Sequence, residues 1–555
     1  MTLNSKQLLS LSLLIPATMS AAAKSDTRPN ILVIMVDDMG FSDTGCMGGE
    51  IDTPNINSLA ENGLRFTHFY NAGRSCPTRA SLLTGLYSHK AGVGRMAKDG
   101  GTEGYEGSIK QEAATIAEVL SDAGYNTGMV GKWHVSATAE IEDHDKWLSN
   151  IMHNDQYIPE GTHPLDRGFK DFYGVLWGVV NYFNPFSLTD GRTPVTEFAD
   201  DYYITDDLTR KAVEYIDKYS KDDKPFFLYL AHVAPHWPLH ATEEMIEKYE
   251  DTYTVGWEEI RNARYKKMEE LGIFEGYSNI LSARQFKDAW SDNPTKEWDA
   301  RAMATHAAML DRVDQGIGEV LERLEKSGEL DNTLIFFLSD NGCSNETPQN
   351  YSPGHDDRPS MLSDGSPIYY PKKKEVLPGP ANTMTGLGPK WANVANTPFR
   401  MWKAKMFEGG TATSMIAYWG DHIKAEKGSI IRSSGHVTDI MATCIDLAKT
   451  KYPKKNNGLK TPEIDGVSLR PIFESGERKD RDLFFEHFKG CAIHAADGWK
   501  AVKADEKSKW ELYNLNVDPT EMVNLANSNT AKLNELIERY DAWAESSLVY
   551  PYPTK

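Results

Sequence analysis

Two long apolar runs constrain the fold more than any other feature of this chain. Residues 30–36 and 334–338 are almost wholly apolar, a pattern typical of strands buried on both faces of a parallel sheet. Similar runs at 125–131, 225–230 and 415–419 predict further strands, with helical periodicity between several of them. This alternation indicates an α/β fold. At 555 residues, the chain exceeds one ordinary domain, so we expect a large α/β domain with a smaller one appended.

Oxygen-bearing side chains follow two of these strands directly. Asp37 and Asp38 end the first run, and Asp340 and Asn341 follow the run at 334–338. In open α/β sheets, sites form at the carboxyl ends of the strands, where these residues fall. Each pair alone also suits an ordinary strand-ending turn. Taken together, four oxygen donors without a thiol favour a hard divalent cation over zinc or copper.

The segment Ser75-Cys76-Pro77-Thr78-Arg79 is the most informative stretch for chemistry. Pro77 is well suited to the start of a helix, because its missing N–H has no partner in the first turn. The sequence therefore predicts a helix from Pro77, with Ser75 and Cys76 just ahead of its N-terminus. Unpaired N–H groups there, together with Arg79, favour an anion or a reactive group at Ser75. A capping serine beside a buried cysteine is the simpler interpretation.

The extended motif, in which Ala-Ser-Leu-Leu-Thr-Gly follows Arg79, resembles the signature of the type I sulfatases. In that family, a cysteine or serine two residues before the proline is converted to formylglycine, an aldehyde whose hydrate is the nucleophile. The register selects Ser75 and not Cys76. The chain thus resembles the serine-type, arylsulfatase-like branch, within the alkaline phosphatase superfamily. The resemblance implies a mostly parallel sheet flanked by helices, and a small C-terminal subdomain of antiparallel sheet plus helix.

The resemblance also implies a set of site residues. The metal ligands would be Asp37, Asp38, Ser75, Asp340 and Asn341, and this oxygen set suits Ca²⁺ better than Mg²⁺. The catalytic residues would be Ser75, Arg79, Lys132, His134, His236 and Lys403. Lys403 is chosen over Lys405 because it stands five positions before Glu-Gly-Gly. His236 would protonate the leaving oxygen and His134 would accept a proton later, roles that suit an imidazole.

The N-terminus has the layout of a secretory signal peptide, with Lys6 ahead of an apolar run and small residues at 19–23. We expect a signal peptide at 1–23, a catalytic domain at 24–475 and an α+β subdomain at 476–555. No later apolar run is long enough for a membrane anchor. The protein is therefore expected to be exported, either periplasmic or secreted. Its net charge of -20 argues against nucleic-acid binding.

The substrate is left open at this point. A sulfated small molecule or oligosaccharide is the expected partner, together with a formylglycine-generating maturation enzyme. Residues 344–395 predict an irregular excursion that lines the substrate opening. The stretch 488–494 departs from the Gly-Asn-Arg-Ala type run of arylsulfatase-like relatives, at positions that can face the pocket. The alternatives are a phosphonate monoester or phosphodiester hydrolase and a non-catalytic calcium- or glycan-binding protein. Disulfide pairing among Cys46, Cys76, Cys343, Cys444 and Cys491 also stays open.

Overall fold

The computed structural model describes residues 26–137, 158–277, 279–352, 360–362, 364–371 and 374–553, so the predicted signal peptide lies outside it. Within these residues the apolar runs form strands of one eleven-stranded sheet. Its strands are β1 (Asn30–Val36), β2 (Leu64–Tyr70), β3 (Asn126–Gly131), β4 (Asp171–Val175), β5 (Leu188–Asp190), β6 (Thr193–Pro194), β7 (Phe226–Ala231), β8 (Thr333–Ser339), β9 (Ala412–Tyr418), β10 (Ile430–Ile431) and β11 (Gly435–His436).

The sheet order places the two long apolar strands side by side. The order is β10-β2-β9-β8-β1-β7-β3-β4-β5-β6, and β11 also pairs with β2. Pairings that involve β9 or β5 are antiparallel, and the others are parallel. Every residue of β1, β7 and β8 is buried, as expected for strands covered on both faces. The expected mostly parallel α/β sheet is confirmed.

Two groups of helices flank this sheet. The helices in the described residues are α1 (Pro54–Asn62), α2 (Ser75–Thr84), α3 (Ile116–Asp122), α4 (Ile204–Tyr219), α5 (Glu243–Glu247), α6 (Trp257–Glu270), α7 (Lys296–Lys326), α8 (Gly388–Ala395), α9 (Glu408–Thr411), α10 (Thr438–Leu447), α11 (Arg470–Ser475) and α12 (Thr530–Ser546). Helices α1, α4 and α5 pack along α7, whereas α2 and α3 pack against α10. None of the described helices is both long and apolar enough to cross a membrane.

The C-terminal part forms a second, smaller sheet after a short hairpin of β12 (Lys455–Asn456) and β13 (Leu459–Lys460). Its strands pair antiparallel in chain order: β14 (Leu483–His487), β15 (Gly490–His494), β16 (Trp499–Lys503) and β17 (Glu511–Asn514). Helix α12 packs on β15 and β16, and its residues Leu536, Tyr540 and Trp543 share a core with Ile493 and Leu512. This confirms the expected antiparallel sheet plus helix. Strand β15 was not predicted from the sequence.

Two local predictions were wrong at their boundaries. Helix α2 begins at Ser75 and not at Pro77, with Arg74 as its extended N-cap residue. A proline fits anywhere in the first turn, because no N–H of that turn has an intrahelical partner. The stretch 344–395 is not irregular throughout, since its end forms α8. There the proline occupies the first turn, and Trp391 and Val394 bury an apolar face.

Candidate active site

The register between β1 and β8 brings the predicted oxygen donors together. Val36 pairs with Ser339, so Asp37 and Asp340 leave the sheet side by side. The backbone N–H of Asp38 donates to Asp340 Oδ1 over 3.4 Å, and Asn341 Nδ2 donates to Asp38 Oδ1 over 2.6 Å. All four side chains are at most 2% exposed. Sequence order and sheet pairing alone therefore explain this cluster of oxygens.

Arg79 connects these acids to Ser75. Its Nε lies 2.9 Å from Ser75 Oγ, and its NH2 lies 2.8 Å from Asp340 Oδ2 and 3.5 Å from Asp37 Oδ2. Its NH1 donates to the backbone carbonyl of Lys132 over 2.9 Å, and the Lys132 ammonium forms an ion pair with Asp37. Helix α2 supports this geometry, because Ser75 and Arg79 are one turn apart and face the same way.

Lys403 approaches the site from a loop far along the chain. Its Nζ lies 2.7 Å from Asp38 Oδ1 and 3.5 Å from Glu346 Oε2. The loop turns sharply on either side of it, with φ values of 65° at both Met401 and Ala404. Lys403 is 3% exposed, so the lysine selected by counting lies buried against the acids.

The two histidines line the same cavity as Ser75. His236 Nδ1 lies 2.5 Å from the carbonyl oxygen of Trp237, so Nδ1 carries the proton and Nε2 points inward, 3.5 Å from Asp38 Oδ2. His134 follows β3 with a φ of 54°. Its ring packs so closely on Gly178 that a Cβ there would lie 2.2 Å from the ring. The structure thus brings every predicted site residue into one place.

A family model described as sulfatase matches residues 29–450, most of this chain. The chain belongs to the sulfatase family. An uncharacterised sulfatase of Schizosaccharomyces pombe is 33% identical over 94% of each chain. An arylsulfatase of Klebsiella aerogenes is 31% identical over 83% of this chain and 95% of its own. Sulfatases of this kind are sulfuric ester hydrolases, and this chain is one.

Solved structures of other proteins share the fold. The crystal structure of Ps i-CgsB in complex with k-i-k-neocarrahexaose is 26% identical to this sulfatase, with a TM-score of 0.64 over 95% of this chain and 94% of its own. A phosphonate monoester hydrolase from Silicibacter pomeroyi has the same fold at 17% identity and a TM-score of 0.56. The second likeness concerns the fold alone.

The electrostatics of this sulfatase's site suit a bound cation. Burial and the charge of Asp340 raise the pKa of Asp37 to about 7, against the effect of Lys132 and Arg79. Burial likewise raises the pKa of Asp38. For Asp340, burial acts in the same direction, but Arg79, Lys132 and Lys403 outweigh it and lower its pKa. Burial therefore favours the protonated forms of Asp37 and Asp38, an effect that a bound cation would oppose, whereas its cationic neighbours keep Asp340 ionised.

Unpartnered oxygens make the fit more specific. Asp37 Oδ1 and Asn341 Oδ1 are buried without a hydrogen-bond partner among the described residues, which is costly unless an ion or water meets them. Atoms of Asp37, Asp38 and His236 also lie within 4.8 Å of one another. A set of ligands made only of oxygen atoms suits a hard divalent cation better than a set that includes the imidazole of His236. The residues present therefore fit the oxygen-ligated metal expected from the sequence.

A cavity of about 340 Å³ opens over Ser75. It is lined by Arg74, Ser75, Met96, Ala97, Lys98, His134, Trp177, Gly178, Val179, His236, Trp237, Glu346, Lys403 and Phe488. We call Asp37, Asp38, Ser75, Arg79, Lys132, Asp340, Asn341 and Lys403 the sheet-edge cluster. We call Arg74, Trp177, Trp237, Glu346 and Phe488 the cavity wall.

The sequence assigned no individual role to any residue of the cavity wall, although the stretches 344–395 and 488–494, which contain Glu346 and Phe488, were expected at the substrate opening. Glu346 is the most connected of them, because its carboxylate accepts from Arg74 over 3.2 Å and from Trp237 Nε1 over 2.9 Å, and also contacts Lys403. Its place in the predicted excursion at 344–395, five residues after Asn341, was its signal in the sequence. Phe488 lies in the stretch 488–494, where the sequence was expected to differ from the Gly-Asn-Arg-Ala type run at the pocket, and this expectation was its signal in the sequence.

All five cysteines are buried and form no disulfide bond with one another.

Proposed function

We propose that this sulfatase hydrolyses aryl or carbohydrate sulfate monoesters to an alcohol and inorganic sulfate, using formylglycine made from Ser75. The observation that supports this most strongly is the position of Ser75. Its Oγ lies at the N-terminus of α2, 2.9 Å from Arg79, beside three carboxylates and two lysines at the base of the cavity. Ps i-CgsB, which is similar to this chain, was solved with a neocarrahexaose, which supports the carbohydrate option.

Formylglycine supplies an aldehyde whose hydrate carries two hydroxyl groups, one to attack sulfur and one to expel sulfate. Oxidation of the Ser75 alcohol to that aldehyde removes two protons and two electrons, which an exogenous maturation enzyme must accept. Unmodified Ser75 has a single hydroxyl, so a sulfated serine would have no group with which to release the sulfate. Arg79 would orient the groups at position 75, because its Nε already binds Oγ.

Cationic side chains would hold the sulfate. Lys403 and Lys132 carry ammonium groups buried beside the acids. In a buried site, such charges stabilise an anionic transition state more strongly than they would in water. Ca²⁺ held by Asp37, Asp38, Asp340, Asn341 and the residue at position 75 would add positive charge and relieve the carboxylate repulsion. Mg²⁺ is the less suitable ion, because it demands a stricter octahedral geometry.

The histidines would carry protons. His236 presents Nε2 inward and would protonate the leaving oxygen. Burial and the charges of Lys403 and Lys132 lower its pKa in the free protein, and the negative charge of a bound sulfate ester would oppose that effect. His134 has a buried Nδ1 without a hydrogen-bond partner in the part of the chain that the structure describes. Burial and Lys132 lower its pKa as well, which keeps its imidazole neutral and able to accept a proton.

Export, domain bounds and maturation complete the proposal. The signal peptide at 1–23 would export the protein to the periplasm or medium, where a sulfated small molecule or oligosaccharide would reach it. The catalytic domain would span 24–475 and the C-terminal subdomain 476–555. The serine at position 75 implies a bacterial, anaerobic-type maturation enzyme as a partner.

Sulfate release from a chromogenic aryl sulfate tests this function directly. Protein from a bacterial host with a serine-type maturation enzyme is compared with Ser75→Ala and Cys76→Ala. We expect turnover by the parent protein and by Cys76→Ala, and none by Ser75→Ala. Faster turnover of a phosphonate monoester or phosphodiester would favour the alternative hydrolase. Absence of any turnover, with retained Ca²⁺ or glycan binding, would favour a non-catalytic protein.

A further inference from the structure

The turn between β14 and β15 has an unusual backbone. His487 pairs with Gly490, so the connection has two residues, Phe488 and Lys489. Their φ values are 49° and 64°, as in the type I′ turns that usually contain asparagine and glycine. A phenylalanine in this left-handed region is uncommon and strained. Such strain persists only where surrounding contacts hold it, and it is frequent at functional sites.

Several contacts hold Phe488 in this conformation. The backbone N–H of Lys489 donates to Glu486 Oε1 over 2.6 Å, and Lys489 Nζ lies 2.9 Å from Glu506. The guanidinium of Arg95 lies 4.1 Å from the centroid of the Phe488 ring, within the range of a favourable cation–π contact. The ring of His487 lies 4.3 Å away. Phe488 is therefore fixed by both the C-terminal subdomain and the loop that carries Arg95.

Phe488 lines the same cavity as Ser75. Ser75 is 2% exposed and lies at the base, whereas Phe488 is 42% exposed and lies at the opening. Arg95 stacks over the ring, and part of the aromatic surface still faces open space. Trp177 and Trp237 line the cavity as well. A substrate group that extends from Ser75 toward solvent thus lies in a cavity lined by three aromatic side chains.

The size of this cavity limits what the group can be. A volume of about 340 Å³ lies near the lower end of the usual range of small-molecule sites, about 300–1,000 Å³. Such a space accommodates one substituted ring beside Ser75, and further linked rings would have to lie outside it. Aryl rings and the apolar face of a pyranose both present a flat surface that packs on an aromatic side chain. Arg74 and Glu346 add a polar donor and acceptor on the same wall.

We propose that Phe488 determines leaving-group specificity by packing on a single ring that carries the sulfate. This inference rests on the proposed sulfatase function and deepens it. The C-terminal subdomain thereby contributes to substrate recognition, while the chemistry stays at the sheet edge. A ring that stands alone or ends an oligosaccharide fits the cavity, whereas a ring with sugar units attached on both sides does not. The enzyme would then remove sulfate from terminal rings.

The test uses the full-length matured protein and the variants Phe488→Ala and Phe488→Tyr. The matched control is Leu459→Ala, which removes a half-exposed apolar side chain outside the cavity. Three esters are compared: a chromogenic aryl sulfate, a sulfated monosaccharide, and a trisaccharide that carries the same sulfated ring internally. Alanine and phenylalanine both meet strain at this φ, so the change isolates the ring. Melting temperatures verify that each variant folds.

We expect Phe488→Ala to raise KM about tenfold for the esters with a single ring, with kcat within about twofold. Phe488→Tyr should restore KM to within about twofold, and Leu459→Ala should match the parent. The ester with the higher kcat/KM, either the aryl sulfate or the sulfated monosaccharide, shows whether the ring that packs on Phe488 is an aryl ring or a sugar. No sulfate should leave the internal ring of the trisaccharide.

The contrary outcomes separate two kinds of failure. If the parent protein hydrolyses a single-ring ester but Phe488→Ala leaves its KM unchanged, the role of Phe488 is wrong and the sulfatase function stands. If the internal ring is desulfated as fast as the monosaccharide, the single-ring limit is wrong. If the matured parent protein releases sulfate from none of the esters, the proposed function fails, and the assignment of Phe488 fails with it.

Discussion

The sheet-edge cluster and the cavity wall differ in how the chain builds them. Residues of the cluster follow buried strands or lie in the first turns of α2, except Lys403, which a loop carries, and its acids are at most 2% exposed. Residues of the wall come from separate loops and from the β14–β15 turn, and Phe488 is 42% exposed. The cluster is therefore fixed by the core of the fold, whereas loops set the wall. Chemistry and specificity are accordingly separable by mutation.

Removal of the cluster's metal site should have the largest effect. Asp37→Ala, or treatment of the parent enzyme with a chelator, should reduce turnover of every ester to background, because both remove the positive charge expected at the sulfate. Addition of Ca²⁺ should restore the chelated parent but not the variant. Sulfate release with each ester measures this. The exposed Asp421→Asn serves as the control, and substantial activity in Asp37→Ala would contradict a metal site at this edge.

Loss of a single cation in the cluster should have the next largest effect. Lys403→Met removes the ammonium that lies 2.7 Å from Asp38. We expect kcat to fall about 10³-fold for all substrates alike, as when a preorganised charge in a buried site is lost. Lys405→Met, two residues along the same loop, should stay within about twofold of the parent. Equal losses in the two variants would show that Lys405 shares the role.

The contact between the small C-terminal sheet and helix α9 offers a test of stability. Lys500 of β16 lies 2.6 Å from Glu408 and 2.9 Å from Glu521, and all three are buried. Lys500→Met should lower the free energy of unfolding by about 3 kcal/mol, because two buried carboxylates lose their cation. Denaturant unfolding of this variant and of Lys503→Met, on the same strand, measures the difference. A loss no larger than that of Lys503→Met would argue against the ion pair.

The same contact should give a pH dependence. Burial raises the pKa of Glu521 to about 7, although Lys500 opposes this. The folded state therefore binds more protons than the unfolded state between the ordinary glutamate pKa of about 4.5 and about 7, so this group's contribution to stability falls as pH rises through that window. Lys500→Met should accordingly lose more stability at pH 8 than at pH 5. A loss that does not change with pH would contradict this interpretation.

The smallest effect should come from the cavity wall. Trp237→Phe keeps an aromatic ring but removes the Nε1 donor that lies 2.9 Å from Glu346. We expect kcat/KM to fall about fivefold, because one hydrogen bond to a charged group is lost. Steady-state kinetics with the aryl sulfate and the monosaccharide measure it, with Trp499→Phe as the control. A loss as large as that of Lys403→Met would remove the distinction between cluster and wall.

The sequence predicted the cluster because its residues lie next to strong local signals. Asp37 and Asp340 directly follow apolar strands, and Ser75 and Arg79 share one helical turn, so a short motif places each of them. The wall had no such signal. Glu346 and Phe488 are 142 residues apart in the chain and meet only through tertiary folding. Phe488 also occupies a left-handed turn that its residue type disfavours, so local propensity pointed away from it.

The central claim is tested most directly by the mass of the tryptic peptide that spans residues 75–79, from matured and active protein. The account predicts a loss of two hydrogens at Ser75, with Cys76 unmodified, and a modified fraction that rises in proportion to sulfate release across preparations. An active preparation whose peptide carries only the unmodified serine would contradict the account, because catalysis would then proceed without the aldehyde.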